Sequence, residues 1–168
     1  MNTGKKTARI VCAGEKGRLF ERRAGDLVIA ADGGLKYLCE NGVVPDVVIG
    51  DFDSLGGKPN VSGDVEIITL PVEKDDTDSF AAVRIALDRG YDEIVLYCAA
   101  GGETDHMIAN LFILNKLAGL KKRGYMFDRD RIITVISGES LIFSAECNGK
   151  LSVFSAGDRA EIRIRGLK

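Results

Sequence analysis

With 168 residues, 45% of them hydrophobic and 29% charged, the chain is long enough for one domain with a real core and has the composition of an ordinary globular protein. A formal net charge of −2 gives no sign of nucleic acid or an anionic membrane as a partner. The polar start, Met1 to Lys6, leads into no long apolar run, so neither a signal peptide nor a membrane span is expected and the expected location is cytoplasmic.

Ala8 to Ala13 reads as a first strand ending at Gly14, and Glu15 to Arg23 as a short helix. Leu27 to Ala31 is a second buried strand, closed by Asp32-Gly33-Gly34. Leu35 to Asn41 has helical spacing through Leu35, Leu38 and Cys39, with Gly42 as its C-cap. Val47 to Ile49 and Val65 to Leu70 give the third and fourth strands. Thr77 to Arg89 is a helix with Phe80, Val83, Ala86 and Leu87 on one face, and Gly90 ends it. Glu93 to Ala99 is a fifth strand, and Asp105 to Leu117 a second long helix with Ile108, Leu111, Phe112 and Leu114 inward. Strands alternating with helices predict an α/β fold, a parallel Rossmann-like sheet with helices on both faces.

The pattern changes after Gly119. Lys121 to Gly124 reads as a surface connector. Ile132–Ile136, Ser140–Ser144, Leu151–Phe154 and Ala160–Ile164 read as short strands, with Asn148-Gly149 as a hairpin signal. No helix separates them, so a small antiparallel β unit, a partial β-sandwich, is expected. The division is then an α/β domain over 1–125 and an antiparallel β-domain over 126–168, incomplete or completed by another chain. The cysteines, Cys12, Cys39, Cys98 and Cys147, are far apart, each in or beside an apolar segment. They fit reduced, buried thiols.

Chemistry-bearing residues gather where strands end. Val47-Val48-Ile49 runs into Gly50-Asp51-Phe52-Asp53-Ser54, followed by Leu55-Gly56-Gly57. Two carboxylates one residue apart in extended backbone point the same way. A hard cation such as Mg²⁺, held by one or two carboxylates plus substrate phosphates, suits them. The plainer account is an acidic turn with Asp51 capping amides. Asp32-Gly33-Gly34 lets backbone approach a phosphate, or serves only as a tight turn. In Lys74-Asp75-Asp76-Thr77-Asp78, Lys74 and Thr77 suit phosphate oxygens and Asp75 and Asp78 suit metal, while Thr77 is also a good N-cap. Gly101-Gly102-Glu103-Thr104-Asp105-His106 follows the fifth strand, with Asn110 one turn on; His106 is the only histidine. Neither G-x-x-x-x-G-K-[ST] nor G-x-G-x-x-G occurs, which leaves P-loop and dinucleotide readings without support.

These four clusters, in this order and spacing, resemble the thiamine pyrophosphokinase family: Asp32-Gly33-Gly34, Pro45-Asp46 leading to Gly50–Ser54, Lys74–Asp78, and Gly101-Gly102-x-x-Asp105-His106 with Asn110. The resemblance runs from the first strand to about the second long helix, and more loosely to Ser152-Val153-Phe154-Ser155. It implies transfer of pyrophosphate from ATP to the hydroxyl of thiamine, giving thiamine diphosphate and AMP. It also implies dependence on Mg²⁺ and a homodimer with thiamine near the subunit interface. By motif, Asp51, Asp53 and Asp78 would be the catalytic metal ligands. Asp32, Gly33, Gly34, Lys74, Asp75, Thr77, Gly102, Asp105, His106 and Asn110 would line the nucleotide site. The chain departs from the family twice. Glu103 stands where the family usually has Arg, and the family continues past residues 166–168 into a Gly-Ser-Asn-type segment that helps hold thiamine. The acceptor half of the site is therefore expected to be the poorly represented half. A pterin-type pyrophosphokinase, a glycosyltransferase holding Mn²⁺ through Asp-x-Asp, and a catalytically weak nucleotide- or thiamine-binding protein are the rival readings.

Overall fold

A computed structural model describes residues 6–53, 59, 61, 63–71 and 76–166. In chain order it has β1 (Thr7–Val11), β2 (Leu27–Ala31), α1 (Gly34–Glu40), β3 (Val47–Gly50), β4 (Glu66–Thr69), α2 (Asp78–Asp88), β5 (Glu93–Tyr97), α3 (Thr104–Gly119), β6 (Arg123–Asp128) and β7 (Arg131–Thr134). The strands form one seven-stranded sheet in the order β4-β3-β2-β1-β5-β6-β7. All neighbours pair parallel except β6 and β7, which pair antiparallel. The chain winds outward from β1 to β4, then returns through α2 to lay β5 on the other edge of β1. The order therefore reverses between β1 and β5, the point where open α/β sheets leave a crevice at their carboxyl ends.

β2 and β3 are apolar without alternation, and β1 is buried along its whole length, because both faces are covered. Ile10, Ile29, Ile49 and Leu96 pack with α2 and α3 on one face. Val28, Ala30, Val48 and Tyr97 pack with α1 and the loop residues Leu19 and Phe20 on the other. Each fully shielded aliphatic side chain contributes roughly 1.5–3 kcal/mol by burial.

The helix expected over Glu15–Arg23 does not form; residues 12–26 run without regular structure apart from a turn. The reason lies under them. Arg9 is buried in the middle of the sheet, and a buried guanidinium needs partners. Its Nε donates to Asp26 at 2.6 Å and its Nη1 to the Tyr97 hydroxyl at 2.9 Å, and Phe20 stacks over it at 4.8 Å. Tyr37 donates to the Gly17 carbonyl. A helix would pull these groups off the face they hold.

α3 presents Asn110, Ile113, Leu114, Leu117 and Ala118 inward. Of the expected stripe, Leu114 is buried, but Ile108, Leu111 and Phe112 are exposed, Phe112 by 68%. The helix is apolar on more than one face, so periodicity could not choose. Contact with β6 chooses instead: a Cβ on Gly124 would fall 2.7 Å from Leu117 and 3.0 Å from Leu114.

The stretch expected as a connector leads straight into β6, and the expected boundary at 125/126 falls inside that strand. The antiparallel part of the fold is the β6–β7 pair. Among the expected tail strands, only part of Ile132–Ile136 forms, as β7; Ser140–Ser144, Leu151–Phe154 and Ala160–Ile164 form no strand. Every residue from 136 to 166 is exposed, including Ile142 at 92% and Phe154 at 86%. A strand holds only against a neighbour, and none is provided for these among the described residues. No helix there is long and apolar enough to cross a membrane.

All four thiols are free, but only Cys12 and Cys98 are buried; Cys39 and Cys147 are exposed, contrary to expectation. Cys39 follows Leu38 on α1 and turns to the solvent side of that helix. Burial, with smaller contributions from Cys98 and Asp78, pushes the Cys12 thiol up to about 12, and burial also raises Cys98. The thiolate is the reactive form. Iodoacetamide at pH 8 is therefore expected to alkylate Cys39 and Cys147 in the folded chain, and Cys12 and Cys98 only in denaturant. Peptide mass mapping checks this, and early labelling of Cys12 would contradict the packing at the end of β1.

Candidate functional site

Because β1, β2, β3, β5 and β6 are parallel, the loops that follow them meet at one edge of the sheet. Backbone is packed tightly there. A Cβ on Gly34 would fall 1.9 Å from the Val11 carbonyl oxygen, and one on Gly14 would fall 2.5 Å from that of Cys98. Asp32 takes a left-handed backbone (φ 48), donates its amide to Ile49 at 2.8 Å and accepts from Leu35. Gly33 is the N-cap of α1. The Asp32-Gly33-Gly34 turn thus joins the ends of β1, β2 and β3.

The Asp51 loop is not extended. Phe52 is buried at 3% exposure with φ 57, and the chain folds over it so that Asp51 Oδ1 accepts the Asp53 amide at 3.2 Å. The two carboxylates therefore share a tight turn, not one face of a strand. Phe52 acts as the peg that holds the turn down.

The third loop is ordered by hydrogen bonds. Thr77 caps α2, its Oγ1 accepting from the Phe80 amide at 3.2 Å. Asp76 pairs with Arg84 at 3.3 Å. Asp78 opens the helix, and its charge makes a small contribution to raising the Cys12 thiol. Thr77 Oγ1 and Ser79 Oγ lie 3.0 Å apart, Ser79 donates to Asn110 Oδ1 at 2.8 Å, and Asn110 Nδ2 donates to the Ala99 carbonyl at 2.8 Å. Ser79 and Asn110 are both buried. This chain of bonds ties the α2 N-terminus to α3 and to the end of β5.

Beyond β5, Gly101 and Gly102 both have positive φ. Glu103 is the N-cap of α3 and makes no side-chain cap bond. Asp105 accepts the His106 amide at 2.8 Å, and both residues are exposed in the first turn of α3. Lys74 and Asp75, like Ser54 to Gly57, lie outside the described residues. The fold thus brings Asp32 beside the Asp51 loop, and Thr77 beside Asn110. It does not draw Asp51, Asp53 and Asp78 into one closed set: among the described residues no group of three or more His, Cys, Asp or Glu is placed to hold a metal ion.

Sequence reasoning passed over Ser79 and Gly14. Ser79 had a readable signal, since it shares the buried stripe of α2 with Ala82, Val83 and Ala86, where a hydroxyl needs a partner. Ser79→Ala leaves the buried Asn110 oxygen without its donor. It is expected to lower stability by about 1–3 kcal/mol at an unchanged denaturant slope, with Ser79→Thr recovering part of the loss. Urea unfolding followed by circular dichroism reads both.

Comparison with known proteins matches this geometry. Residues 21–126 fit the model of the family described as thiamin pyrophosphokinase, catalytic domain. A thiamine pyrophosphokinase of Bacillus subtilis (strain 168) is 33% identical over 119 residues, 66% of this chain and 55% of that protein. Thiamin pyrophosphokinase from Geobacillus thermodenitrificans superposes with a TM-score of 0.65 at 27% identity, over 77% of this chain and 63% of that one. A thiamin pyrophosphokinase family protein from Enterococcus faecalis does so at 0.61 and 28%, over 73% and 61%. The chain spans little more than half the length of the curated relative. The chain therefore belongs to the thiamin pyrophosphokinase family through its catalytic domain.

Proposed function

We propose that this edge binds ATP and serves transfer of its terminal pyrophosphate to the hydroxyl of thiamine, yielding thiamine diphosphate and AMP. The observation that carries the reading is the family match over 21–126, laid on a sheet whose acidic and glycine-rich loops share the edge where the strand order reverses between β1 and β5. In the reaction the hydroxyl oxygen bonds to the β-phosphorus, the bond from that phosphorus to the α-β bridging oxygen breaks, AMP leaves with the bridging oxygen, and the hydroxyl gives up its proton. Such transfers depend on positioning and on neutralising charge.

The donors present fit Mg²⁺. Asp51 and Asp53 on one turn and Asp78 across the edge offer hard carboxylate oxygens, and an incomplete protein cage is usual for an ion that shares its coordination with phosphates. When bound, Mg²⁺ would supply charge neutralisation at the phosphate oxygens. The chain's own part is to fix the loops: Phe52 pins the Asp51 turn, and the Thr77-Ser79-Asn110 bonds fix the N-terminus of α2, where Asp78 stands. A cytoplasmic setting and a homodimer with thiamine near the interface belong to the same reading.

Incubation with ATP, Mg²⁺ and thiamine should yield AMP and thiamine diphosphate by mass. Asp51→Asn and Asp53→Asn should each lower turnover by about 100-fold or more while leaving the circular dichroism spectrum unchanged. ADP together with a monophosphorylated acceptor would overturn the reading, as would undiminished turnover in both variants at saturating Mg²⁺.

A further inference from the structure

The crevice between β1 and β5 is bridged by a side-chain pair outside the span shared with the family, residues 21–126. Arg129 lies in the turn between β6 and β7. β6 runs parallel to β5, so the turn sits at the same edge as the site loops. The Arg129 Nη2 donates to Glu15 Oε2 at 2.5 Å, and Glu15 belongs to the loop that follows β1. Because β5 stands between β1 and β6 in the sheet, the pair crosses over the end of β5.

It crosses at a particular place. A Cβ on Gly101 would fall 2.4 Å from Glu15 Cγ and 2.6 Å from Glu15 Cδ. The Glu15 side chain therefore rests directly on Gly101 and fills the space that this glycine leaves open. The Glu15 amide donates to the Ala100 carbonyl at 3.0 Å, which fixes the loop there. The neighbouring cation, Lys16, is engaged elsewhere, with Glu40 at 2.6 Å.

The geometry points to a latch: Arg129 is a phosphate-contacting residue whose guanidinium is held by Glu15 until the polyphosphate of a nucleotide displaces that carboxylate and takes its place. This rests on the nucleotide reading above. An exposed ion pair is held weakly, so exchange is easy. A guanidinium offers planar paired donors to phosphate oxygens as readily as to a carboxylate. Glu15 and the polyphosphate are both anionic and compete for the same cation above Gly101.

The latch predicts effects of opposite sign from its two halves. Arg129→Ala should raise the Kd for Mg·ATP, and that for inorganic pyrophosphate with Mg²⁺, by about tenfold. Glu15→Ala should lower both about threefold, since it frees Arg129 and removes a repelling charge, and the gain should largely vanish in the Arg129→Ala background. The Arg129→Ala loss should shrink as salt rises. Isothermal titration at low and high salt measures all of this, with circular dichroism confirming that these surface variants fold. A merely structural tie would make both single variants change in the same direction, and that result overturns the latch. So does unchanged affinity in Arg129→Ala while the wild type binds. A wild-type chain that binds no Mg·ATP overturns the nucleotide reading along with the latch.

Discussion

Everything at the candidate site depends on how closely backbone approaches backbone at the end of β1. The Val11 carbonyl meets Gly34, and the Cys98 and Ala100 carbonyls meet Gly14, at distances that leave no room for a Cβ. Any side chain at Gly34 would strike a strand carbonyl that cannot move without opening the sheet. The two contacts fix α1 against β1 from one side and the loop after β5 against β1 from the other. Cys98 accepts a left-handed backbone, φ 52, to complete the turn; an outlier of this kind persists only where its surroundings hold it. The crevice between β1 and β5 is therefore built from main chain, and side chains are added to it afterwards.

A second constraint works from the interior. Arg9 places a positive charge inside a sheet face that is otherwise apolar, and the chain answers with Asp26, Tyr97 and Phe20. Burial raises the Tyr97 phenol, and Arg9 opposes that rise, so the pair stays Arg⁺ and neutral Tyr. The loop that supplies Asp26 and Phe20 is the one that carries Gly14 and Glu15 to the edge. Loops of this length without regular structure are uncommon in compact domains and are usually functional. Here the buried charge anchors one end of the loop, and the close approach at Gly14 anchors the other.

The sheet was legible in the sequence because fully buried parallel strands leave continuous apolar runs between glycines, as in Val47-Val48-Ile49. The α2 cap was legible because Thr77 stands where a first turn needs an acceptor. Three things were not. The face of α3 was ambiguous because Ile108, Leu111 and Phe112 make as good a stripe as Ile113, Leu114 and Leu117; contact with β6 decides between them. β6 itself was hidden, since Arg123-Gly124 looks like a turn until the partner strand is known. The tail residues carry strand-like alternation, but alternation shows only that one face wants cover and not that cover is present. At the candidate site, the glycine-bearing turns at the ends of β2 and β5 could be placed from sequence. The turn over Phe52 could not, because a left-handed Phe leaves no mark in composition.

The distribution of charge at the edge sets what kind of ligand it can accept. Asp32, Asp51, Asp53 and Glu103 stand in its loops, Asp78 and Asp105 in the first turns of α2 and α3, and Glu15 covers Gly101. A bare polyphosphate at this edge would meet repulsion from these carboxylates, the more so at low salt. Arg129 reaches over the end of β5 from the β6–β7 turn, and it is paired with Glu15. On the proposed reading, the edge therefore suits a nucleotide that arrives with its charge already offset by a metal ion. Glu103, standing where the resembled family usually carries Arg, makes that requirement stricter. If that reading holds, an acidic edge would discriminate between the metal complex and the free nucleotide by repulsion as much as by attraction, which is how charge gives specificity where contact area alone does not.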